Sequence, residues 1–502
     1  MVRWGSPVQL WLRAPKTKKE RQIKMLRWKD DNHAFIEKTG AILVSPEIFI
    51  NKKLKIDDDA IRQLINVSSI SAQDKIIATP DIHTGFGVPI GCVWASCEYI
   101  SPCAVGYDIN CGMRLITTPL SINEINIKQL ADSIKQDIPL GEGKQNIRLE
   151  ASIFIKILEK GVKGLPEIIN TNEQLIKIYN ESDFIEDIQS IEENGSMQCS
   201  AKYVSDTAKK RGQHQLGTLG GGNHFIEIQK IEKIFDEDLA QRFGLFKNQC
   251  VIMLHSGSRG LGAEIGDNYM KLSLSEMQKK NITILDKQLT YFKFDSDNGK
   301  KYFESMKAAS NFAFANRQIM TMFIRKNFRH YYGRDLKLNT LYDVSHNIAK
   351  LENYYNREYI IHRKGATRAF PKKLMFNTKF ANTGQPVLIP GSMGSASYIL
   401  VGIDEGIKSM YSINHGAGRV MSRRQALGKI KHNGKIISEG LISDDAFKKS
   451  MDGIYLICEN KKTIKEEAPA AYKNIDAVIE VVVNAKLAKL AAQTKPVAVL
   501  KG

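Results

Sequence analysis

The 502-residue chain has no run of the roughly 18 consecutive apolar residues that a membrane-crossing helix requires, although 43% of its residues are hydrophobic. Pro7, Pro15 and the charges around them interrupt the apolar core that a secretory signal would need. Cysteines are few: seven, an odd number, and Cys92, Cys97, Cys103 and Cys111 fall close together without paired Cys-x2-Cys spacing. That argues against a structural zinc knuckle and against a disulfide framework. The Gly-x4-Gly-Lys-Ser/Thr phosphate loop is missing, and so is a strand–Gly-x-Gly-x-x-Gly–helix unit with its later acid. Acids are outnumbered: 54 Asp and Glu face 72 Lys and Arg, a formal charge of +18. The expectation is a soluble, cytoplasmic protein with reduced thiols, no membrane, and a polyanionic partner such as RNA or DNA.

The basic excess is steepest at the start. Seven of residues 1–24 are Lys or Arg against Glu20 alone, with no repeating apolar period. This stretch reads as a basic leader, dispensable or preceding a natural start at Met25, and residues 25–502 read as one domain. Length, hydropathy and the absence of repeats favour a single large α+β domain of mixed elements.

Residues 41–50 read as a strand and 57–65 as a short helix. A buried strand from Ile76 runs into a glycine-rich loop carrying Asp81 and His83, and an apolar stretch from Val88 to Trp94 follows. Residues 122–215 read mainly as surface helices, with 181–193 an acidic solvated face or loop. Phe225 to Ile228 is expected as a strand that puts Phe225 and Glu227 on one face. Cys250 to Leu254 is expected as a strand, and 304–329 as a long helix ending near Gly333.

Chemistry gathers in the loops between these elements. Gly-Tyr-Asp-Ile-Asn-Cys-Gly (106–112) offers a carboxylate and a thiol three residues apart; the bland alternative is a buried cysteine beside turn-forming Asp and Asn. His224, His255 and His346 each sit at the end of an apolar stretch beside Asn, Ser or Gly, where loops from strand ends converge. With Asp108 and Cys111 they make a mixed donor set suited to zinc, manganese or iron. His33, His330 and His432 stand in charged contexts and read as ordinary surface residues. His415, in Asn-His-Gly-Ala-Gly-Arg (414–419), has small neighbours that would admit a phosphate, and neutral imidazole is a competent nucleophile on phosphorus. Its alternative is a plain loop with a basic face. Lys449 to Gly453 is one residue too long for the Lys-x-Asp-Gly of lysine-dependent nucleotidyl transfer.

Taken with Gly-Gly-Gly-Asn-His-Phe (220–225), His-Ser-Gly-Ser-Arg-Gly (255–260), Ser-His-Asn (345–347), His-Arg-Lys-Gly-Ala-Thr-Arg (362–368) and Pro-Gly-Ser-Met-Gly (390–394), the chain resembles RtcB-type RNA ligases from about Met25 to Gly502. The resemblance implies a mixed α/β fold around a β-sandwich flanked by helices. It also implies a GTP- and manganese-dependent ligase joining RNA 2′,3′-cyclic phosphate or 3′-phosphate ends to 5′-hydroxyl ends, in tRNA splicing or RNA repair. By the matching positions, Asp108, Cys111 and His224 would hold one Mn2+ and Cys111, His255 and His346 the other, with Cys111 bridging. His415 would carry GMP. The nucleotide would be held by Asn223, His224, Phe225, Ile226, Glu227, His346, Asn347, Pro390, Gly391, Ser392, Met393, Ser397, Gly416, Ala417, Gly418, Tyr472 and Lys501. Arg259, Arg363, Lys364, Arg368 and Arg419 would grip RNA phosphates, and an archease-type activator is a further implied partner. Two rival readings need less: a metal-dependent phosphoesterase acting on RNA ends, and a basic RNA-binding scaffold with a structural metal.

Overall fold

A computed structural model describes residues 26–430 and 436–502; the leader, Met25 and His432 lie outside the described residues. Two large sheets dominate it. The first has seven strands in the order Leu26–Asp30, His33–Ile36, Glu47–Phe49, Lys75–His83, Ile90–Ser96, Arg357–Lys364 and Asn347–Tyr354. The second runs Asn339–Ser345, Gly112–Ser121, Gln249–Ser256, Phe225–Ile234, Ala488–Lys501, Ser397–Gly402 and Pro386–Ile389, with Tyr455–Cys458 parallel beside Ala488–Lys501.

The sheets share a core. Phe49, Ile77, Val93, Ala95 and Ile361 of the first pack with Val387, Ile389, Leu400 and Ala488 of the second. Alternation along Phe225–Ile234 sorts its side chains: Ile226 and Ile228 join a helix-covered core, and Phe225 faces the other way, with Glu227 two residues on. The expected pairing of Phe225 and Glu227 on one face holds.

Helices cover the far face of the second sheet, chief among them Asp297–Tyr332, whose start is capped by Ser296 accepting from the Gly299 amide. From Met306 to Phe328 it is buried on nearly every side, polar residues included, so it is an internal strut. Among the described residues no helix is long and apolar enough to cross a membrane.

Three local expectations need correction. Of residues 41–50 only Glu47–Phe49 forms a strand; Pro46, which lacks an N–H, stands just before it. The acidic stretch 181–193 is only in part a solvated face, with Glu181, Glu186 and Glu193 exposed. Glu181–Ile188 is helical, Asp187 is buried against Arg325, and Glu192 is buried between Lys350 and Arg368. His33 is not a surface residue either: it stacks on Phe49 and its Nε2 lies 2.6 Å from Glu47.

Candidate active site

Strand register explains why residues more than two hundred positions apart meet. Gly112 pairs with Ser256 on one side and Ser345 on the other, while Phe225 pairs with His255. Cys111 precedes Gly112, His346 follows Ser345 and His224 precedes Phe225. In four adjacent antiparallel strands, all these residues therefore emerge at the same sheet edge.

Their donor atoms converge. Cys111 Sγ lies 3.3 Å from His224 Nε2 and 3.1 Å from His255 Nε2, His255 Nε2 is 3.2 Å from His346 Nε2, and His224 Nε2 is 2.7 Å from Asp108 Oδ2. Two triads result, Asp108–Cys111–His224 and Cys111–His255–His346, each with its ligand atoms within 4.8 Å of one another. Cys111 belongs to both. The outer nitrogens are fixed: His224 Nδ1 is 3.0 Å from the Leu219 carbonyl and His255 Nδ1 is 3.1 Å from that of Asn223. A carbonyl only accepts, so each Nδ1 carries a proton and each Nε2 faces the cluster, that of His255 toward Cys111 and that of His224 against the Asp108 carboxylate.

The electrostatics point the same way. Burial and neighbouring rings drive His255 and His346 well below the usual histidine range, leaving neutral imidazoles. Burial alone would raise the Asp108 carboxyl, but the charge and hydrogen bond of His224 hold it well below its usual value. Burial and Asp108 push the Cys111 thiol up, a penalty that a cation between the donors would reverse. Neutral imidazoles, an ionised carboxylate and a shared thiol fit two borderline divalent ions.

The Asp108 loop tolerates no bulk: a Cβ on Gly257 would stand 2.3 Å from Asp108 Oδ1. Behind the ligands, the Arg317 guanidinium donates to the carbonyls of Asn110 and Ser256 and pairs with Asp343, which also pairs with Arg114; all three side chains are fully buried. One ionic brace thus ties together the loops carrying Cys111, His255 and His346.

His415 stands beside this cluster, its ring centroid 4.9 Å from that of His346. Its Nδ1 is 2.7 Å from Oδ2 of Asp81, and its backbone N–H donates to the same oxygen. Thr79 donates to the other oxygen at 2.6 Å. Burial works to raise Asp81, yet the hydrogen bonds from His415 and Thr79 prevail and keep it ionised. Nδ1 is therefore the protonated nitrogen and Nε2 the free one. Asp81 has no assigned role in the sequence reading; the Asp-x-His pair in a glycine loop is the only hint, and it does not name His415.

Both features open into one cleft of about 920 Å³. Asp108, His224, His255 and His415 line it, together with Asn223, Phe225, Pro390 to Met393, Gly416 to Gly418, Tyr472, Lys501, Arg259 and Arg419. At its far arm Lys501 Nζ lies 5.8 Å above the Phe225 ring, and Tyr472 bonds Glu467 and Arg419. Arg423 lines it as well, and Glu142, Lys210, Arg211 and Glu467 also line it and escape the sequence reading. Glu227 and Ser397 are buried behind the wall, linked through Gln229, which donates to both. Ile226 points into the helix-covered core, and Asn347 braces the loops, donating to the Asp108 carbonyl and accepting from Gly365.

Three expected phosphate grips are placed elsewhere. Arg363 is fully buried in a two-pronged pair with Glu352. Lys364 is buried, donating to the carbonyls of Phe86 and Val88, and Arg368 is buried against Glu192 and Glu193. Each cation already has its partner inside the protein, so the surface role read from the basic run is corrected.

Comparison with known proteins supplies the remaining evidence. Residues 63–502 match the family described as tRNA-splicing ligase RtcB. A tRNA-splicing ligase RtcB of Aeropyrum pernix is 39% identical over 478 residues, covering 92% of this chain and 95% of that protein. One from Nanoarchaeum equitans is 38% identical over 492 residues, covering 93% and 97%. Another, from Pyrococcus horikoshii, is 40% identical over 407 residues, 78% of this chain but 44% of the longer relative.

Proposed function

The chain belongs to the RtcB family of tRNA-splicing ligases, and on that premise we propose that it seals RNA 2′,3′-cyclic phosphate or 3′-phosphate ends to 5′-hydroxyl ends, using GTP and manganese through a GMP–His415 intermediate. One observation carries the reading. An imidazole is held by a buried carboxylate with its free nitrogen in the same cleft as a two-triad metal cluster.

Two Mn2+ ions, one on Asp108, Cys111 and His224 and one on Cys111, His255 and His346, would supply Lewis-acid neutralisation of phosphate charge when bound. His415 Nε2 attacks the α-phosphorus of GTP, and pyrophosphate leaves. Asp81 keeps the proton on Nδ1 and balances the positive charge that the ring acquires. An RNA 3′-phosphate oxygen then displaces His415 and takes the GMP, a cyclic end having first been hydrolysed. The 5′-hydroxyl attacks that activated phosphorus, loses its proton, and GMP departs. Arg259 and Arg419 in the cleft wall, with Lys210 and Arg211, supply positive charge for the RNA backbone. A phosphoesterase needs no such histidine and forms no nucleotide adduct.

The test is intact-protein mass after incubation with GTP and manganese, wild type beside His415→Ala. The expected result is an acid-labile gain of one GMP in the wild type and none in the variant. An unmodified wild type with metal loaded would favour the phosphoesterase, and an adduct that survives in the variant would move the nucleophile elsewhere.

Base recognition gives a second prediction. Burial raises Glu227 to about 8, although Gln229 and Lys501 pull the other way. Guanine offers two donors, N1–H and N2–H2, and only an ionised carboxylate accepts both. Below about pH 8 the empty site is protonated, so binding GMP expels a proton and affinity climbs with pH, by at most about tenfold per unit, then levels off. Calorimetry at pH 7 in two buffers of different ionisation heat should report release approaching one proton per GMP. Zero release would remove Glu227 from base recognition.

A further inference from the structure

A second, smaller cavity of about 220 Å³ adjoins the main cleft and is lined by His346 and His415. His415, Asn223, Ile90 and Tyr107 line both spaces. Two aromatic rings that line it are exposed to solvent, Phe86 at 36% and Tyr107 at 40%, with centroids 5.7 Å apart at an interplanar angle of 61°. Neither ring is needed to fill a core, yet both are held firmly from behind. The Phe86 loop is fixed on three sides: Gln63 exchanges two hydrogen bonds with Gly85, Gln288 accepts from the Gly87 amide, and buried Lys364 donates to the carbonyls of Phe86 and Val88. Tyr107 sits between Gly106 and Asp108, and its backbone presses on the helix Arg259–Lys279 so closely that a Cβ on Gly266 would stand 3.4 Å from its Cα.

Resting on the ligase reading, we propose that Phe86 and Tyr107 form a stacking platform for the terminal nucleobase of an RNA strand at the junction, seated in the smaller cavity while the guanosine nucleotide occupies the main cleft. Rigid exposed aromatic faces beside a positive cleft are the features that bind single-stranded bases irrespective of sequence. The buried Lys364 thereby gains a purpose its missing phosphate contact left open: it sets the backbone that presents Phe86. The platform accounts for how an end whose sequence varies is kept within reach of His415. The base comes from either the 3′-phosphate strand or the 5′-hydroxyl strand, and the same stacking chemistry serves both.

The experiment measures the affinity of wild type, Phe86→Ala, Tyr107→Ala and Tyr107→Phe for short fluorescent RNAs, with GMP loading checked in parallel on the wild type by mass. Each RNA carries an intact or an abasic terminal nucleotide, at a 3′-phosphate end in one set and a 5′-hydroxyl end in the other. In the wild type, removing the base from one of the two ends should weaken binding about 5- to 150-fold. That penalty should disappear in Phe86→Ala and Tyr107→Ala and persist in Tyr107→Phe, and the end that shows it identifies the strand. Phe86 is remote in sequence from every metal ligand, so its variant keeps the test valid if Tyr107→Ala disturbs Asp108. A wild type indifferent to base removal at both ends, or a penalty of equal size in wild type and Phe86→Ala, would overturn the platform. Failure of GMP loading in the wild type would instead count against the ligase reading, because RNA affinity is read without it.

Discussion

Asp81→Asn is expected to slow GMP loading of His415 by about 10²–10⁴-fold, with the protein folded and its metal content unchanged. Asp81 has no exposed surface, and one of its oxygens accepts both from His415 Nδ1 and from the His415 backbone. The amide would remove the charge that balances the ring once Nε2 bonds to phosphorus. Turned the other way, its NH2 would donate to Nδ1, place the proton on Nε2 and block the nucleophile outright. A stopped-flow or quench measurement of adduct formation, with metal stoichiometry by mass spectrometry, gives the answer. A loading rate within about threefold of wild type would mean that Asp81 is packing rather than orienting.

Asp343→Asn should have the largest effect on stability, a loss of about 3–5 kcal/mol. The side chain is nearly isosteric, so no cavity arises. What is lost is the counter-charge to Arg114 and Arg317, both fully buried and both bonded to it at 2.8 Å. Arg114 would be left with Gln318 and Thr321, and Arg317 with carbonyls of Asn110 and Ser256. Because those two carbonyls belong to the loops carrying Cys111 and His255, metal retention should fall before global unfolding does. Denaturant midpoints and metal release on dialysis measure the two effects. A variant with an unchanged midpoint would show that the brace is not stabilising relative to its neutral counterpart.

The residues of the two triads were legible in the sequence for two reasons: His224, His255 and His346 each border an apolar stretch beside Gly, Asn or Ser, and Asp108 and Cys111 stand three residues apart between glycines. His415 was legible for a similar reason, its small neighbours. The supports were not. Asp81 and His415 are 334 positions apart, and Arg114 meets Asp343 across 229; nothing local to either marks the other. Charge was the least reliable guide. Arg363 and Arg368 look identical to surface cations in sequence, and Asp187 and Glu192 to surface acids, because the counter-ions that allow each to be buried come from distant strands. The strand expected over 41–50 failed by the same logic, since hydrophobicity shows that Ile42 is buried without showing in what conformation.

The position of the strand Ala488–Lys501 has a consequence for synthesis. It is an inner strand of the eight-stranded sheet, bonded to Phe225–Ile234, Ser397–Gly402 and Tyr455–Cys458, and it delivers Lys501 to the cleft above the Phe225 ring. Every residue of the two triads has left the ribosome once residue 346 is made, but the gap beside Phe225–Ile234 stays open until residues 488–501 emerge. A chain halted upstream lacks a middle strand rather than an edge, and the segment that begins with His224 is left with an unpaired flank. Premature termination at any point in the preceding hundred residues therefore yields no trimmed but working ligase. It yields a fragment whose sheet lacks its middle strand, prone to associate through that flank and suited to removal by proteolysis.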